Sequence, residues 1–337
     1  MKAIVLRELG SPDKLRLEDV PDPKPGPGEV IIRLKAAALN HRDVWLWKGK
    51  YPGLKLPTIP GSDGAGKVLE MGTGVEGLRD GQDVVINPGL DWGSDPRVQG
   101  ADFRILGMPD DGTYAELIKV PASNVHRKPA GLSYEQAAAI PLAALTAYRA
   151  VVTKAEVHRG ETVLVTGIGG GVSTFAAAIA RRLGARVLAT SGSDEKLGRA
   201  RKELGVEEGV NSKAGDWGRA ILDLTGGRGP DVVIDSVGGA TFARAVEITA
   251  TAGRVVTFGA TTGPSEPIDL FRLFWKQVRI LGTTMGTPAE FAAMLDLYED
   301  GGLKPILDRT FPLAEAPAAH RRMEEAEQFG KIILKID

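Results

Sequence analysis

The stretch 162–174 constrains the fold most, because it combines a short apolar run, a glycine turn and the start of a helix. The apolar run, Val163–Val165, is typical of a strand that is covered on both faces in a parallel sheet. An alanine-rich segment, 175–183, follows the turn and ends before Gly184, which suits a helix with a glycine cap. The turn itself contains Gly167, Gly169, Gly170 and Gly171. Glycines at this point let a phosphate approach the amide groups of a helix N-terminus, so the stretch predicts a nucleotide-binding βαβ unit.

Composition limits the classes of function that the chain can have. Its 337 residues exceed one typical domain of about 150 residues, which suggests two domains. A net charge of −1 gives no reason to expect nucleic acid or an anionic membrane as a partner. No signal peptide is visible, because the apolar start Ala3–Leu6 is interrupted by Arg7, and we therefore expect a cytoplasmic protein. Without cysteine the chain can form neither a disulfide nor a cysteine-ligated zinc site.

The pattern of predicted strands and helices changes near residue 125. Residues 1–124 form short strand-like runs, whereas 125–287 alternate strands with helices. The predicted strands of the second part are 161–166, 186–190, 206–211, 231–235, 254–258 and 278–282. Its predicted helices are 133–152, 174–183, 194–204, 217–225 and 241–250. These elements predict an α/β fold, with a Rossmann doubly wound parallel sheet in 125–287. Two helices, 288–300 and 314–328, and a strand, 331–336, are expected to complete the β-rich domain of residues 1–124.

The predicted phosphate-binding residues are Gly167, Gly170, Gly171 and Val172, of which Val172 takes the place of a third glycine. The adenosine ribose should be read about 20 residues later, at the end of the second strand. No acidic residue follows that strand directly, and Ser191, Ser193 and Lys196 could bind a ribose phosphate. The sequence therefore favours NADPH over NADH. The alternative is that Ser193 only caps the next helix and Lys196 is solvated.

Several ordered motifs resemble those of the medium-chain dehydrogenase/reductase superfamily over essentially the full length. The matching segments are Ala38–Asp43, Pro60–Val68, Ile140–Tyr148, the glycine turn, Val233–Gly239, Gly282–Gly286 and Phe329–Leu334. The resemblance implies a GroES-like β-rich domain, 1–124 with 288–337, next to the Rossmann domain, 125–287. It also implies an active site in the cleft between the two domains.

The departures from the family pattern concern the metal. Zinc-dependent members have a cysteine at the position of Asn40 and a Gly-His-Glu motif at Gly61-Ser62-Asp63. The structural zinc lobe of the family corresponds to the region of Trp92, Asp95 and Val98, which supply no thiolate. We therefore predict no zinc at either position. The chain is most similar to the zinc-free quinone oxidoreductase and enone reductase branch.

Without a metal, hydrogen-bond donors must stabilise the oxygen that gains negative charge during hydride transfer. Resemblance points to Asn40 as an amide donor, to Tyr51 as a second donor and to His41 as a cofactor contact or proton relay. Each residue has a simpler alternative, in which Asn40 satisfies its neighbours, Tyr51 packs in a lid, and His41 is packed or solvated.

Other positions are assigned by resemblance alone. Thr146 matches the position behind the nicotinamide, although a helix hydroxyl bonded to its own backbone would look the same. The pairs Phe258-Gly259 and Thr283-Thr284 match loops that hold the nicotinamide ribose and carboxamide. Asp43 and Lys331 match positions that help to fasten the two domains around the cofactor, although an ordinary interdomain salt bridge would look the same in the sequence.

These observations predict a zinc-independent, NADPH-dependent reductase of a quinone or an α,β-unsaturated carbonyl. The first alternative is an alcohol or polyol dehydrogenase of the same superfamily. A non-catalytic NADPH-binding protein with a regulatory or structural role is the alternative from another class. Resemblance also suggests a homodimer that pairs through the sixth Rossmann strand, 278–282.

Overall fold

The computed structural model describes residues 1–299 and 301–337. Its strands are β1 Lys2–Leu6, β2 Leu15–Asp19, β3 Glu29–Ala38, β4 Asp63–Met71, β5 Asp83–Ile86, β6 Gly89–Leu90, β7 Arg104–Ile105, β8 Leu117–Pro121, β9 Val125–Arg127, β10 Thr162–Val165, β11 Arg186–Ser191, β12 Glu208–Asn211, β13 Val232–Asp235, β14 Arg254–Thr257, β15 Arg279–Gly282, β16 Leu307–Pro312 and β17 Lys331–Lys335. Its α-helices are α1 His41–Trp47, α2 Tyr134–Ala138, α3 Pro141–Tyr148, α4 Gly171–Arg182, α5 Asp194–Arg199, α6 Trp217–Leu224, α7 Gly239–Ile248, α8 Leu270–Trp275, α9 Pro288–Glu299 and α10 Ala316–Glu324.

The chain divides into two compact units. The first unit contains residues 1–145 and 286–337, and the second contains 146–285. The predicted helix 288–300 is described as far as Glu299, and Asp300 lies outside the described residues.

The first unit is built on a β-sheet in the order β16-β17-β3-β4-β5-β9, with β8 also paired to β3. Strand β3 is buried at seven of its ten residues, and the more exposed ones are Glu29 at its start and Arg33 and Lys35 in its middle. The C-terminal strand β17 pairs antiparallel with the end of β3, with Ile333 opposite Ala38. This pairing places Lys331, at the start of β17, close to the residues that follow β3.

The second unit contains a parallel sheet in the order β12-β11-β10-β13-β14-β15. Its strand order reverses between β10 and β13, which lie side by side. The prediction of a Rossmann doubly wound sheet is thereby confirmed, and all six predicted strands are present within one or two residues of their predicted bounds. Ligands of such sheets bind at the carboxyl ends of the strands, near the point of reversal.

Two local predictions need correction. The predicted helix 133–152 is divided into α2, α3 and a π-helical segment, Arg149–Lys154. Pro141 explains the first break, because proline has no N–H for the hydrogen bond that would continue α2. The predicted helix 194–204 is α5 followed by a second π-helical segment, Ala200–Leu204.

The division of the chain also differs from the expected one at residue 124. Residues 125–145, which the sequence assigned to the Rossmann domain, belong to the first unit. Strand β9 pairs there with β5, and the Tyr134 hydroxyl donates a hydrogen bond to Asp83 at 2.5 Å. These tertiary contacts hold residues 125–145 in the β-rich unit, although their sequence pattern is typical of an α/β domain.

Within residues 1–299 and 301–337, every helix is too short or too polar to span a membrane.

Candidate functional site

Asn40 lies in the first unit, between the end of β3 and the start of α1. Its backbone N–H donates to the Asp43 carboxylate at 2.9 Å, which closes the first turn of α1. The residue is only 6% exposed. The Nδ2 atom donates to Asp63 Oδ2 at 3.0 Å, and the Oδ1 atom accepts from Lys331 Nζ at 2.6 Å. Since a lysine only donates and a carboxylate only accepts, these two partners fix which way the Asn40 amide faces.

Lys331 and Asp63 form a buried ion pair beside Asn40. The ammonium and carboxylate are 3.0 Å apart, with 2% and none of their side chains exposed. Lys331 Nζ donates in addition to the Leu39 carbonyl at 2.7 Å, and the other Asp63 oxygen accepts from the Leu142 N–H at 2.8 Å. Every hydrogen of the ammonium therefore has an acceptor within this cluster. Lys331 therefore bonds to Asn40, Asp63 and the Leu39 carbonyl, and these three bonds occupy all the N–H groups that the resemblance assigned to the cofactor.

Asp43 forms the second polar group of this region. Its Oδ2 atom accepts from the Tyr114 hydroxyl at 2.7 Å, while Oδ1 is buried without a hydrogen-bond partner among the described residues. Burial raises the pKa of the Asp43 carboxyl. Burial is also the main cause of the raised pKa of the Tyr114 phenol, and the charge of the adjacent Asp43 raises it further. The hydrogen bonds of Asp43 to Asn40 and Tyr114 lie within the first unit.

Tyr51 and His41 lie near Asn40 in sequence and have different partners. The Tyr51 hydroxyl accepts a hydrogen bond from Arg42 Nε at 3.3 Å. The His41 ring contacts Trp45 edge to face, with ring centres 6.1 Å apart. Desolvation, followed by the nearby Lys48 charge, lowers the pKa of His41. The His41 side chain lies at the surface, so its imidazole can accept a proton from water or pass one on.

In the second unit, the predicted phosphate turn joins β10 to α4. Gly167 and Gly169 adopt positive φ values of 62° and 124°, which favour glycine. Gly170 is the N-cap of α4, and Gly171 and Val172 form its first turn. The Ser173 hydroxyl closes the turn by donating to the carbonyls of Gly167 and Gly170 at 3.1 and 2.9 Å. The turn presents the start of a twelve-residue helix, as a pyrophosphate site requires.

The loop after β11 carries the predicted ribose residues. The Ser191 hydroxyl accepts from the Ser193 N–H at 3.3 Å, and the Ser193 hydroxyl accepts from the Lys196 N–H at 3.3 Å. Ser193 is thus the N-cap of α5, as the simpler alternative proposed. The side chain of Lys213 lies against the same loop, because a Cβ atom on Gly192 would be 2.7 Å from Lys213 Cε. Lys213 follows β12, which pairs with β11 and brings the two loops together.

The carboxyl ends of β13, β14 and β15 supply further polar groups. Asp235 is buried at the end of β13 and accepts from the Thr166 hydroxyl at 2.5 Å; burial raises its pKa. Phe258 and Gly259 follow β14, and the Phe258 N–H donates to the Asp235 carbonyl at 3.2 Å. Thr283 and Thr284 follow β15.

The Thr283 hydroxyl oxygen is buried and has no partner among residues 1–299 and 301–337. A buried hydroxyl without a partner costs free energy, so a ligand group that bonds to it would be stabilised. Its place at the carboxyl edge of the sheet fits the predicted contact to a dinucleotide. Thr146 is buried in α3, near its C-terminal end.

Arg42 and Lys213 lie beside the candidate site residues, although no sequence motif assigns a role to either of them. Arg42 stands between residues that the motifs point to, but one arginine in a helix carries no signal of where its guanidinium lies. Lys213 is brought to the ribose loop by the pairing of β11 with β12, which spacing along the chain cannot reveal.

Comparison with protein families gives two matches. Residues 26–130 match the alcohol dehydrogenase GroES-like domain, and residues 171–300 match the zinc-binding dehydrogenase family. A zinc-type alcohol dehydrogenase-like protein of Schizosaccharomyces pombe is 35% identical to this chain, and the match covers 100% of this chain and 99% of the relative.

Relatives whose names specify an activity are also similar over the full length of this chain. An acryloyl-coenzyme A reductase of Sulfurisphaera tokodaii is 31% identical, with 99% of this chain and 100% of the relative covered. A quinone oxidoreductase of Pseudomonas aeruginosa is 32% identical, with 99% of both chains covered.

Solved structures show the same fold. The crystal structure of an NAD-dependent alcohol dehydrogenase is 44% identical, with a TM-score of 0.96 and both chains fully covered. A crotonyl-CoA carboxylase/reductase variant solved with NADP is 26% identical, with a TM-score of 0.92 over 100% of this chain and 95% of the other.

Proposed function

Because the chain belongs to the medium-chain dehydrogenase/reductase superfamily, we propose that it is a zinc-independent, NADPH-dependent reductase of a quinone or an α,β-unsaturated carbonyl. Its class as an NAD(P)H-dependent oxidoreductase follows from its named relatives. The proposed zinc independence rests on one observation. At the position of a zinc ligand, Asn40 holds an amide whose orientation is fixed by Asp63 and Lys331.

Zinc does not fit the residues at the family's catalytic metal position. The three residues there supply an amide, a hydroxyl and one carboxylate, whereas catalytic zinc is bound by thiolate, imidazole and carboxylate groups. The carboxylate, Asp63, is already paired with the Lys331 ammonium, and the Ser62 hydroxyl accepts from Arg42 at 2.6 Å. A divalent cation would have to displace the Lys331 ammonium from Asp63 and to bind close to the positively charged Arg42 guanidinium. We therefore propose that hydrogen bonds replace the metal.

The Asn40 amide has one N–H bonded to Asp63, and its second N–H has no acceptor among the described residues. This second N–H can donate to a substrate oxygen that gains negative charge as hydride adds to the conjugated carbon, and NADPH, when bound, would supply that hydride. Removing one such donor typically lowers kcat by about 10²–10³. The names of the acryloyl-coenzyme A reductase and the quinone oxidoreductase support an acceptor of this chemistry.

The preference for NADPH rests on the loops after β11 and β12. Neither Ser191 nor Ser193 would repel a ribose phosphate, and Lys213 brings a positive charge against Gly192. The related reductase solved with NADP supports this choice, while the related NAD-dependent alcohol dehydrogenase favours NADH. We expect Lys213→Gln to weaken NADPH binding about tenfold or more and to leave NADH binding within about twofold. Equal losses for both nucleotides would contradict a role at the ribose phosphate.

The main test is turnover of a panel of quinones, enones and alcohols with NADPH and NADH. We expect NADPH oxidation with a quinone or enone, and we expect Asn40→Ala to lower kcat by about 10²–10³ while the KM for NADPH stays the same. Thermal melting and NADPH binding of the variant serve as controls for an intact fold.

The other candidates predict different results. Alcohol-dependent reduction of NADP would favour an alcohol dehydrogenase, an interpretation that the 44% identical relative supports. Binding of NADPH without turnover of any acceptor would favour the non-catalytic alternative.

We also propose a homodimer that pairs through β15, the last strand in the order of its sheet. An apolar surface adjoins this strand: Ile280 on β15 is 37% exposed, and helix α8 exposes Phe271, Phe274 and Trp275 by 62% or more. Exposed aromatic groups beside an unprotected sheet edge favour association with a second copy over exposure to water.

A further inference from the structure

Arg42 lies in α1, directly after His41, and its side chain is only 9% exposed. The guanidinium donates to the Ser62 hydroxyl at 2.6 Å and to the Leu106 carbonyl at 2.7 Å, both through Nη1. Its Nη2 atom lies 3.4 Å from the Met108 carbonyl. These contacts hold the guanidinium in place independently of Tyr51.

The same guanidinium meets Tyr51 in two ways. The Nε atom donates to the Tyr51 hydroxyl at 3.3 Å, and the central carbon lies 4.6 Å from the centre of the phenol ring. A guanidinium has no acceptor atom, so in this hydrogen bond the phenol oxygen must accept. The Tyr51 hydroxyl proton therefore points away from Arg42. It has no acceptor among the described residues, which leaves it available to a ligand.

We propose that Arg42 is a positioning residue that orients the Tyr51 O–H toward the substrate oxygen. This inference rests on the proposed reductase function. As hydride adds to the conjugated carbon, the O–H bond of Tyr51 breaks and a new O–H bond forms on the enolate or hydroquinone oxygen. The phenolate that remains is stabilised by the adjacent Arg42 cation and regains its proton from water.

Turnover in a double-mutant cycle tests whether Arg42 acts through Tyr51. We expect Arg42→Gln to lower kcat roughly ten- to a hundredfold with the KM for NADPH unchanged, because a misplaced group loses most of its catalytic effect. In a Tyr51→Phe background, which keeps the ring but lacks the hydroxyl, Arg42→Gln should cost less than about twofold. Equal losses in both backgrounds would show that Arg42 acts on something other than Tyr51.

Arg104→Gln is the matched control. Arg104 lies in the same segment as the two carbonyls that Arg42 binds, but its partners are Asp91 and Asp110. We expect this variant to retain the kcat of the parent. A tenfold loss in Arg104→Gln would indicate that the segment, not Tyr51, is what Arg42 supports.

A second measurement does not depend on turnover. In protein labelled with ¹³C at the tyrosine phenol carbon, the Tyr51 signal is the one that Tyr51→Phe removes. We expect Arg42→Gln to shift or broaden this signal and Arg104→Gln to leave it in place. An unchanged Tyr51 signal in Arg42→Gln would overturn the inference. If no acceptor is reduced by the parent enzyme but the signal still moves, the proposed function fails and the contact between Arg42 and Tyr51 stands.

Discussion

Replacing Lys331 by methionine should destabilise the first unit strongly. Met retains much of the apolar stem but leaves the Asp63 carboxylate, the Asn40 carbonyl and the Leu39 carbonyl without the ammonium that now lies 2.6–3.0 Å from each. Removing one partner of a buried ion pair costs about 3–5 kcal/mol, because an uncompensated charge stays buried. For a unit of this size, about 4 kcal/mol corresponds to a fall of roughly 8–16 °C in Tm.

Thermal and urea unfolding, followed by tryptophan fluorescence, measure this change. Lys335→Met is the matched control, because Lys335 lies on the same strand with its side chain 59% exposed and should change stability by less than about 0.5 kcal/mol. The double variant Lys331→Met with Asp63→Asn should recover at least half of the loss, since the introduced amide is neutral and still offers an oxygen to the Leu142 N–H. Equal costs for Lys331→Met and Lys335→Met, or no recovery in the double variant, would refute a buried ion pair at this position.

Three further predictions concern other parts of the chain. His320 is buried, and desolvation lowers its pKa to about 3. Between pH 6.5 and about 3 the unfolding free energy should therefore fall by about 1.4 kcal/mol per pH unit more steeply in the parent than in His320→Gln, as measured in acid urea titrations. Gly167→Ala should weaken NADPH binding and cost about 1–2 kcal/mol in urea unfolding, because φ is +62° and the new Cβ would lie 2.8 Å from Val237; Gly198→Ala, in a helix with open space, should cost nothing. Ile280→Glu should convert the proposed dimer to monomer in light scattering, whereas Leu69→Glu, at the similar exposure of 36%, should not; a parent that is already monomeric would contradict the dimer.

The parallel sheet could be predicted because its signals are local. Each strand is a short apolar run, and each is followed by a turn and a helix with a recognisable start, such as Ser193 before α5. The π-helical segments were not predicted, since helix propensity alone continues through them. The break at Pro141 was missed even though proline is a recognisable helix-breaking signal. The assignment of 125–145 failed for a different reason: β9 and Tyr134 are held by β5 and Asp83, which are distant in sequence.

The candidate site shows the same limit. Motifs point to Asn40, His41 and Tyr51, and the backbone positions of the first two follow from β3 and α1. The direction of a long side chain is decided by tertiary packing, so the sequence could not show that Lys331 points at Asp63 or that Arg42 points at Tyr51. Lys213 reaches the ribose loop only because β12 pairs with β11.

We propose that hydrogen bonds, with Asn40 as the main donor, replace the metal in hydride transfer. The most direct measurement is NADPH oxidation with a quinone or enone before and after exhaustive treatment with a strong zinc chelator, with metal content determined on the same samples. We predict a metal content far below stoichiometric, turnover that the chelator leaves unchanged, and a large loss only in Asn40→Ala. Activity that disappears with the chelator and returns on addition of zinc would show that a metal, and not the Asn40 amide, stabilises the substrate oxygen.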